Sequence, residues 1–357
     1  MEKQSRIYVA GHTGLAGSAI VRKLKSCGYT NLIFRTSSEL DLRRQEDTER
    51  FFEQEKPEFV FLAAGKVGGI MANSTYKAEF IYDNLMIATN VIHASYKYGV
   101  KKLINLGSSC IYPKNAPQPL KEEYLLIGPL EPTNEPYAIA KIAAIKLCRY
   151  YNEQYGTNFI SVMPCNLYGP NDNFDLETAH VLPAMLRKFH LAKLLSEEKY
   201  NDIIKDMWIH GNLPEEFTSP SSPTTYNLLP ITQYLSRFGI FPDRVVLWGT
   251  GKPFREFLHA DDLAEACVFL MEKFSAAEAG EMVNIGAGSD LPLQELAEMV
   301  KNVTGFSGRI DWDHTKPDGM QRKLLDVSRA MSLGWKAEIG FEQGCSKYDT
   351  WYTNLDF

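Results

Sequence analysis

Residues 6–17 of the chain read RIYVAGHTGLAG. The apolar run at 6–10 predicts a buried strand, and apolar residues at helical spacing predict a helix over 14–26. The glycines between them let the backbone turn tightly and approach a pyrophosphate at the positive N-terminus of a helix. The stretch therefore predicts the first strand, phosphate loop and helix of a dinucleotide-binding fold. A plain glycine turn is the alternative interpretation.

The chain beyond residue 17 continues to alternate between strand-like and helix-like segments. Apolar runs predict strands at 31–34, 59–64, 102–107, 158–163 and 282–285. Helical spacing predicts helices at 82–98, around residue 137, and at 180–188, 261–273 and 293–304. This alternation predicts an α/β fold with a doubly wound parallel sheet of the Rossmann type and a smaller C-terminal α/β part.

Composition excludes several classes of function. The chain has 357 residues, is 45% hydrophobic and carries a net charge of -6, without a basic stripe, so we expect no nucleic-acid partner. We expect no signal peptide, and the sequence has no run of 18 apolar residues, so we also expect no membrane association. Its six cysteines are scattered, which predicts reduced thiols in a cytoplasmic protein and neither a disulfide framework nor a metal site.

Arg35 follows the second predicted strand, near the position where NAD-binding domains place an acidic residue on the ribose. An arginine there can pair with a 2′-phosphate and stack on adenine, which favours NADP. A surface arginine is the alternative. We expect residues 1–170 to form the NADP-binding domain, with about 245–270 returning to it. Residues 171–357 would form mainly the substrate-binding part, with an insertion at about 196–243.

Tyr137 and Lys141 have a four-residue spacing that puts both side chains on one face of a helix. A lysine cation favours the phenolate, which predicts a lowered pKa for Tyr137 and proton exchange with a sugar hydroxyl or carbonyl. Ser108, Ser109 and Cys110 follow the fourth predicted strand, at the sheet edge where ligands bind. A serine hydroxyl there could hydrogen-bond the reacting oxygen. An ordinary helix face and a packing cysteine are the alternatives.

Several basic residues are further candidates. His180 begins a helix-like stretch, although a single histidine is more often structural than catalytic. Four cations could bind a diphosphate or could be solvated surface charges: Arg187, Lys188, Arg255 and Lys323.

Longer motifs add a family resemblance. These are residues 11–18, 63–70, GSSCIYP at 107–113, EPTNEPYAIAK at 131–141, 166–170, 255–259 and 316–319. Together they resemble the extended short-chain dehydrogenases and, among these, the GDP-L-fucose synthases. That family uses NADPH to epimerise GDP-4-keto-6-deoxy-D-mannose at carbons 3 and 5 and to reduce carbon 4. The resemblance covers nearly the whole chain except about 45 residues between Lys188 and Trp248.

The resemblance implies a role for each matching residue. Ser108 and Tyr137 would polarise the carbonyl at carbon 4, Lys141 would bind the nicotinamide ribose, and Cys110 and His180 would be the acid/base pair of epimerisation. Substrate-binding positions would be Lys188, Trp248, Arg255 and Asp318. Cofactor-binding positions would be Gly11, His12, Thr13, Gly14, Leu15, Ala16, Gly17, Arg35, Leu106, Gly107, Ser108, Ser109, Lys141, Pro164, Cys165, Asn166, Leu167 and His180.

Other functions stay open at this point. Another nucleotide-sugar epimerase or a dehydratase could use the same fold, although a dehydratase would need a carboxylate near Ser108. A non-catalytic NADP-sensing protein is a second class, against which the Tyr137–Lys141 pair weighs. The family resemblance also predicts a homodimer that pairs the helices at 82–98 and 137–155 with those of a second copy.

Overall fold

The computed structural model describes residues 1–212, 228–316 and 318–355. Its helices are α1 (Leu15–Ser26), α2 (Gln45–Glu55), α3 (Ile70–Thr75), α4 (Lys77–Lys97), α5 (Glu135–Tyr155), α6 (Val181–Ser196), α7 (Tyr200–Ile209), α8 (Leu228–Ser236), α9 (Ala260–Lys273), α10 (Ala276–Ala279), α11 (Leu293–Thr304), α12 (Ser328–Ser332) and α13 (Phe341–Thr353). Its strands are β1 (Ile7–Ala10), β2 (Leu32–Ile33), β3 (Phe59–Leu62), β4 (Lys102–Leu106), β5 (Phe159–Pro164), β6 (Asn166–Tyr168), β7 (Arg244–Trp248), β8 (Phe254–Arg255), β9 (Phe257–His259), β10 (Met282–Ile285), β11 (Leu291–Pro292), β12 (Arg309–Asp313) and β13 (Arg322–Lys323).

Strand β1 is buried on both faces, as its continuous apolar run requires. Ile7 and Val9 pack in one hydrophobic layer with residues of α1 and α9. Tyr8 and Ala10 pack in the opposite layer with residues of α2 and α4. Helices therefore cover both faces of the sheet, which confirms the predicted doubly wound α/β fold.

The main sheet has six strands in the order β10-β5-β4-β3-β1-β2, and each neighbouring pair is parallel. The chain runs from β1 outward to β2 and then crosses to β3 on the other side of β1. The strand order therefore reverses beside β1. Ligands of doubly wound sheets bind at the carboxyl ends of the strands flanking such a reversal, which is where the loop after Ala10 lies.

Two helices differ from the predictions made from the sequence, and two other elements agree with them. Helix α4 begins at Lys77 rather than near residue 82, and Phe80 in this additional first turn is buried. Helix α2 was not predicted, because most of its 11 residues are polar. Its buried residues are Thr48, Phe51 and Phe52. The helix at Leu293–Thr304 and the strand at Met282–Ile285 have the predicted bounds.

The chain divides into two compact units. The first comprises Met1–Asp172, Arg255–Asp290 and Arg322–Gly344, and the second comprises Asn173–Phe254, Leu291–Gln321 and Cys345–Phe357. No helix in the described residues has the length and apolar character needed to cross a bilayer.

The predicted insertion contains helices α7 and α8. Residues 213–227, including the Ser/Pro/Thr-rich segment at 218–225, lie outside the described residues. Helix α7 belongs to the packed core of the second unit, because Ile203 and Met207 are fully buried.

Arg187 corrects one prediction, because it is neither a diphosphate ligand nor a surface charge. Its side chain is fully buried and its Nε donates to Asp206 Oδ1 at 2.8 Å. The other guanidinium nitrogens donate to the carbonyls of Phe174, His210 and Gly211 and to Asn212 Oδ1. The arginine therefore joins α6 to α7 and to the segment that follows it.

Candidate active site

The loop between β1 and α1 forms a close-packed cradle. Gly11 has φ +82°, and a Cβ atom there would lie 2.8 Å from the Ala64 backbone. A Cβ at Gly17 would lie 2.0 Å from the Gly11 carbonyl oxygen, so only glycine fits at either position. Gly14 is the N-cap of α1 and supplies no capping side chain, and the first turn of α1 holds no acidic residue. A pyrophosphate fits such a helix N-terminus.

Two more predicted cofactor residues lie beside this cradle. The His12 ring stacks on Phe34 at a centroid distance of 4.9 Å. Arg35 follows β2, and its Nη1 donates to the Phe34 carbonyl at 2.6 Å. Its Nη2 forms an ion pair with Glu55 of α2, and the guanidinium carbon lies 5.6 Å from the Phe51 ring centroid. The arginine is thus prearranged at the edge of the cradle, with a carboxylate that sequence analysis did not identify.

The segment after β4 presents Ser108 and Cys110. Ser108 precedes a 3-10 turn at Ser109–Ile111, and its Oγ accepts a hydrogen bond from the Cys110 backbone N–H at 3.3 Å. Gly107 is close-packed, because a Cβ there would lie 2.3 Å from the Met163 side chain. The turn directs the Ser108 hydroxyl and the Cys110 thiol toward α5, where Tyr137 interacts with both.

Tyr137 lies in the first turn of α5, where Pro136 occupies an N-terminal position that tolerates proline. The Ser108 hydroxyl lies close enough to the Tyr137 phenol to affect its pKa. Burial raises the pKa of Tyr137 above its usual value, the nearby Cys110 adds to the rise, and the Ser108 hydrogen bond opposes it. The prediction of a lowered Tyr137 pKa is therefore wrong for this structure.

Lys141 lies one helical turn further along α5. Its Nζ lies 5.7 Å from the Tyr137 ring centroid and donates to the Leu106 carbonyl at 2.8 Å. Burial lowers the pKa of Lys141 to about 8. The ammonium group thus lies over the Tyr137 ring.

Cys110 has an unexpected basic neighbour. Lys323 Nζ donates to the Cys110 Sγ at 3.3 Å, across 213 residues of sequence. The sequence predicted Lys323 to be a diphosphate ligand or a surface charge. No local pattern points to this contact, because the two residues meet only when the chain folds.

Four more predicted cofactor residues of the first unit run from the last residue of β5 into β6. These are Pro164, Cys165, Asn166 and Leu167. Cys165 is buried, and burial raises the pKa of its thiol well above the usual value. Asn166 Nδ2 donates to the Glu256 carbonyl at 2.7 Å, which holds this segment against the residue that precedes β9.

Glu256 itself was missed by sequence analysis. Its side chain is fully buried and accepts hydrogen bonds from the backbone N–H groups of Gly288 and Leu325 at 2.8 and 2.9 Å. Burial raises the pKa of Glu256 to about 7, and these backbone hydrogen bonds oppose the rise. Gly286 makes room for it, since a Cβ there would lie 2.4 Å from Glu256 Oε1.

The predicted substrate residues are divided between the units: Arg255 lies in β8 and belongs to the first, and Lys188, Trp248 and Asp318 belong to the second. Lys188 is buried in α6, and burial lowers its pKa to about 8. Trp248 ends β7 with half of its surface exposed, and Lys316 Nζ lies 5.3 Å from its ring centroid. His180 is the N-cap of α6 and is exposed.

Asp318 supports the turn that follows Trp248. Its Oδ1 accepts from the Thr250 backbone N–H at 2.6 Å and its Oδ2 from the Thr250 hydroxyl at 2.8 Å. Both carboxylate oxygens therefore anchor this turn within the second unit. Its contribution to a substrate site would include orienting the turn that carries the exposed indole.

The first unit thus places a hydroxyl, a neutral phenol, a thiol and two ammonium groups beside the carboxyl end of β4. A neutral phenol hydrogen-bonded to a hydroxyl can donate a proton to a carbonyl oxygen. A thiol beside an ammonium can serve as an acid/base group. The glycine cradle at the end of β1 can hold a dinucleotide next to them.

Comparison with known proteins places this arrangement in a family. A family model described as the NAD dependent epimerase/dehydratase family matches residues 7–205 and 222–286. The GDP-L-fucose synthase 1 of Arabidopsis thaliana is 52% identical over 351 residues, which cover 98% of this chain and 94% of that relative.

Solved structures agree with the match. A GDP-mannoheptose C4 reductase from Campylobacter jejuni with NADP bound is 44% identical, with a TM-score of 0.85 and coverage of 99% of this chain and 100% of the other. A GDP-L-fucose synthetase from Naegleria fowleri bound to NADP is 26% identical, with a TM-score of 0.78 and coverage of 99% and 95%. The chain belongs to the NAD dependent epimerase/dehydratase family.

Proposed function

We propose that the protein is an NADPH-dependent enzyme that epimerises GDP-4-keto-6-deoxy-D-mannose at carbons 3 and 5 and reduces carbon 4, giving GDP-L-fucose. The observation that carries the proposal is the grouping of Ser108, Tyr137 and Cys110 in one unit. It combines a proton donor for a carbonyl oxygen with a separate thiol that can move protons on carbon. The relatives named as GDP-L-fucose synthases support the same activity.

The chemistry accounts for both parts of the grouping. The ketone at carbon 4 acidifies the protons on carbons 3 and 5, because their removal gives an enolate. Ser108 and Tyr137 would hydrogen-bond the enolate oxygen in each epimerisation. Cys110 and His180 would remove and return the protons on opposite faces. Tyr137 would finally donate its proton to the carbon 4 oxygen, and bound NADPH supplies the hydride for that reduction.

The cofactor is proposed to be NADPH and the nucleotide a GDP-sugar. Gly11 and Gly17 would cradle the pyrophosphate, Arg35 the 2′-phosphate, and Lys141 the nicotinamide ribose. Lys188 would neutralise a diphosphate charge, and the exposed indole of Trp248 offers a face for a base. The first unit would then be the cofactor-binding part and the second unit mainly the substrate-binding part.

A second candidate is reduction of carbon 4 without epimerisation. The observation that favours it is the similarity to the Campylobacter jejuni GDP-mannoheptose C4 reductase, at 44% identity over 99% of this chain. The two activities share Ser108 and Tyr137 and differ in their need for proton transfer at carbons 3 and 5. Deuterium exchange at these carbons therefore separates them.

The test is product analysis by NMR after incubation with GDP-4-keto-6-deoxy-D-mannose and NADPH in deuterated water. We expect GDP-L-fucose with deuterium at carbons 3 and 5. Cys110→Ser should lose the exchange and still oxidise NADPH, giving a 6-deoxy sugar of another configuration. If the wild-type product carries no deuterium at carbon 3 or carbon 5, the protein is a C4 reductase without epimerase activity. If NADPH is not consumed, both proposed activities are excluded.

We also propose a homodimer in the cytoplasm. Helices α4 and α5 lie side by side and expose several aromatic and apolar side chains: Tyr82, Tyr96, Ile139, Tyr150 and Tyr155. The Tyr96 and Tyr155 rings stack at a centroid distance of 4.2 Å, so an aromatic contact joins the two helices. Patches of this kind commonly mark interfaces, and a two-fold axis would pair the surface with itself. The six unpaired cysteines fit a reducing compartment.

A further inference from the structure

We infer that Lys323 is a positioning residue and counter-ion for Cys110, holding its sulfur in place and stabilising it as the thiolate that removes a proton from carbon. The inference rests on the proposed function, in which Cys110 moves protons at carbons 3 and 5. The inference gives Lys323 a role, and the family resemblance assigns it none.

The chemistry of the two groups determines which one donates the hydrogen bond. An ammonium group has donors and no acceptor, so the Cys110 sulfur must accept the hydrogen bond from Lys323 Nζ over 3.3 Å. Sulfur accepts far better as a thiolate than as a thiol, and a neighbouring cation favours the thiolate. Both side chains are partly buried, so water screens the pair less than it would at an open surface.

Hydrogen bonds to neighbouring segments fix the position of the strand that carries Lys323. The next residue, Leu324, accepts a hydrogen bond from the Leu120 backbone N–H at 2.7 Å and donates its own N–H to Gln118 Oε1 at 3.0 Å. Leu325 is buried and donates its N–H to Glu256 Oε2 at 2.9 Å. The segment that carries Lys323 is therefore fixed from two sides. Its ammonium group is held in a defined position, unlike a mobile charge at the surface.

Other titratable groups face this pair from three elements. Tyr137 of α5 faces Cys110, and burial keeps it neutral. Cys165, after β5, lies near Lys323 and also near Glu256, which precedes β9. The pKa of Cys165 is raised well above its usual value, and Glu256 directs its carboxylate to backbone N–H groups. Among these groups Lys323 carries the positive charge, so it is the natural partner of a Cys110 thiolate.

The proton transfer balances with this pair. The thiolate takes the proton from a carbon next to the ketone, and the electrons of the broken C–H bond move to the carbon 4 oxygen as an enolate. Lys323 stays protonated throughout. Its charge, matched by the thiolate at the start, is then balanced by the enolate. The ammonium therefore stabilises the negative charge both before and after the proton moves.

The test compares Lys323→Met and Lys323→Arg with wild type. The readout is the rate at which iodoacetamide alkylates Cys110 at neutral pH, followed by mass spectrometry of the peptide. Cys27, which is partly exposed, is the internal reference. Lys336→Met, at an exposed lysine of the same unit, is the matched control variant. We expect Lys323→Met to slow Cys110 alkylation about ten-fold, with Cys27 unchanged and Lys323→Arg restoring most of the rate.

Deuterium exchange supplies the second readout. Lys323→Met should slow exchange at carbons 3 and 5 about ten-fold, and the double variant should lose no more than Cys110→Ser alone. The KM for NADPH should stay at the wild-type value, whereas a general loss of structure would change it. Equal alkylation rates for Cys110 in wild type and Lys323→Met would overturn the inference.

The experiments can refute the proposed epimerisation and the role of Lys323 independently of each other. The alkylation readout needs no sugar nucleotide, so it judges Lys323 even if the wild-type protein exchanges no deuterium. Absent exchange in wild type with a ten-fold alkylation effect would overturn the proposed epimerisation and retain the Lys323–Cys110 pair.

Discussion

At the scale of single residues, the protonation state of Tyr137 decides which part of the reaction it can serve. Burial and the neighbouring Cys110 raise its pKa, so the phenol is neutral near neutral pH. A neutral phenol is suited to donate a proton to the carbon 4 oxygen or to hydrogen-bond an enolate. Proton removal from carbon then falls to other groups, which agrees with a separate role for Cys110.

Tyr137→Phe tests this assignment. Loss of the hydroxyl removes the proton donor while the ring and its packing against Phe80, at a centroid distance of 6.4 Å, are kept. We expect the rate of NADPH oxidation to fall by about 10²–10⁴-fold with little change in NADPH affinity. Tyr124→Phe, a partly buried tyrosine outside the site, should keep full activity. Undiminished turnover in Tyr137→Phe would remove the phenol from the mechanism.

Arg35 and Glu55 should set the preference for NADPH together. Arg35→Ala should raise the KM for NADPH and leave that for NADH little changed, because only NADPH carries the 2′-phosphate. Glu55→Gln should instead lower the KM for NADPH a few-fold, since the carboxylate paired with Arg35 competes with that phosphate. Steady-state kinetics with both cofactors measure the two effects. Equal losses with NADPH and NADH in Arg35→Ala would contradict the assignment.

At the scale of elements, long-range polar contacts hold the pieces that present the site. Glu256 ties the segments at Gly288 and Leu325 together, and the latter carries Lys323. Arg187 does the same for α6 and α7. In each case one buried polar side chain satisfies backbone or carboxylate groups that burial would otherwise leave unpaired.

Asp206→Ala should destabilise the protein strongly. It leaves the fully buried Arg187 without its carboxylate and removes the acceptor for the Tyr352 hydroxyl. We expect the free energy of unfolding in urea to fall by about 3–5 kcal/mol. Asp202→Ala, on an exposed face of the same helix, should change it by about 0.5 kcal/mol or less. Similar losses in both variants would show that the buried ion pair does not hold α7.

Glu256 should make stability depend on pH. Its pKa of about 7 in the folded protein lies above the ordinary value of about 4.3, so the folded state binds the proton more tightly. The stabilisation is fully present below the ordinary pKa and is lost as the pH rises through about 7. Glu256→Gln cannot ionise, so its stability relative to wild type should increase by on the order of 2 kcal/mol between pH 5 and pH 8. Parallel stability curves for the two proteins would refute this.

At the scale of the whole molecule, the aromatic surface of α4 and α5 is the feature that a single copy leaves exposed. Tyr82 and Tyr150 are 59% and 53% exposed there, well above what a core-forming helix face shows. The tyrosine hydroxyls can meet water or a polar rim while the rings bury apolar area, as at many interfaces.

Light scattering at micromolar concentration tests the homodimer. We expect a mass of twice 40.4 kDa for wild type. The double variant Tyr150→Glu and Tyr155→Glu should give the monomer mass, because two charges would be buried in the interface. Met331→Glu, an exposed apolar residue on α12, should remain dimeric. A monomer mass for the wild-type protein would rule the interface out.

The sequence alone determined the parts of this protein that depend on local pattern. The apolar run before Gly11, the glycine spacing and the alternation of strands and helices predicted the parallel sheet and its phosphate loop. The Tyr137–Lys141 spacing and the triplet at Ser108 predicted residues that the structure groups beside β4. Each of these signals is confined to a few neighbouring residues, where backbone geometry dictates the periodicity.

Tertiary structure alone decided the charge states and partners. The pair between Cys110 and Lys323 joins residues 213 positions apart, and the burial of Arg187 against Asp206 depends on how two helices pack. The pKa of Tyr137 moved opposite to the prediction, because burial of the phenol and the nearby Cys110 raise it. Desolvation and charge pairing arise from contacts between distant segments, so no local spacing in the sequence encodes them.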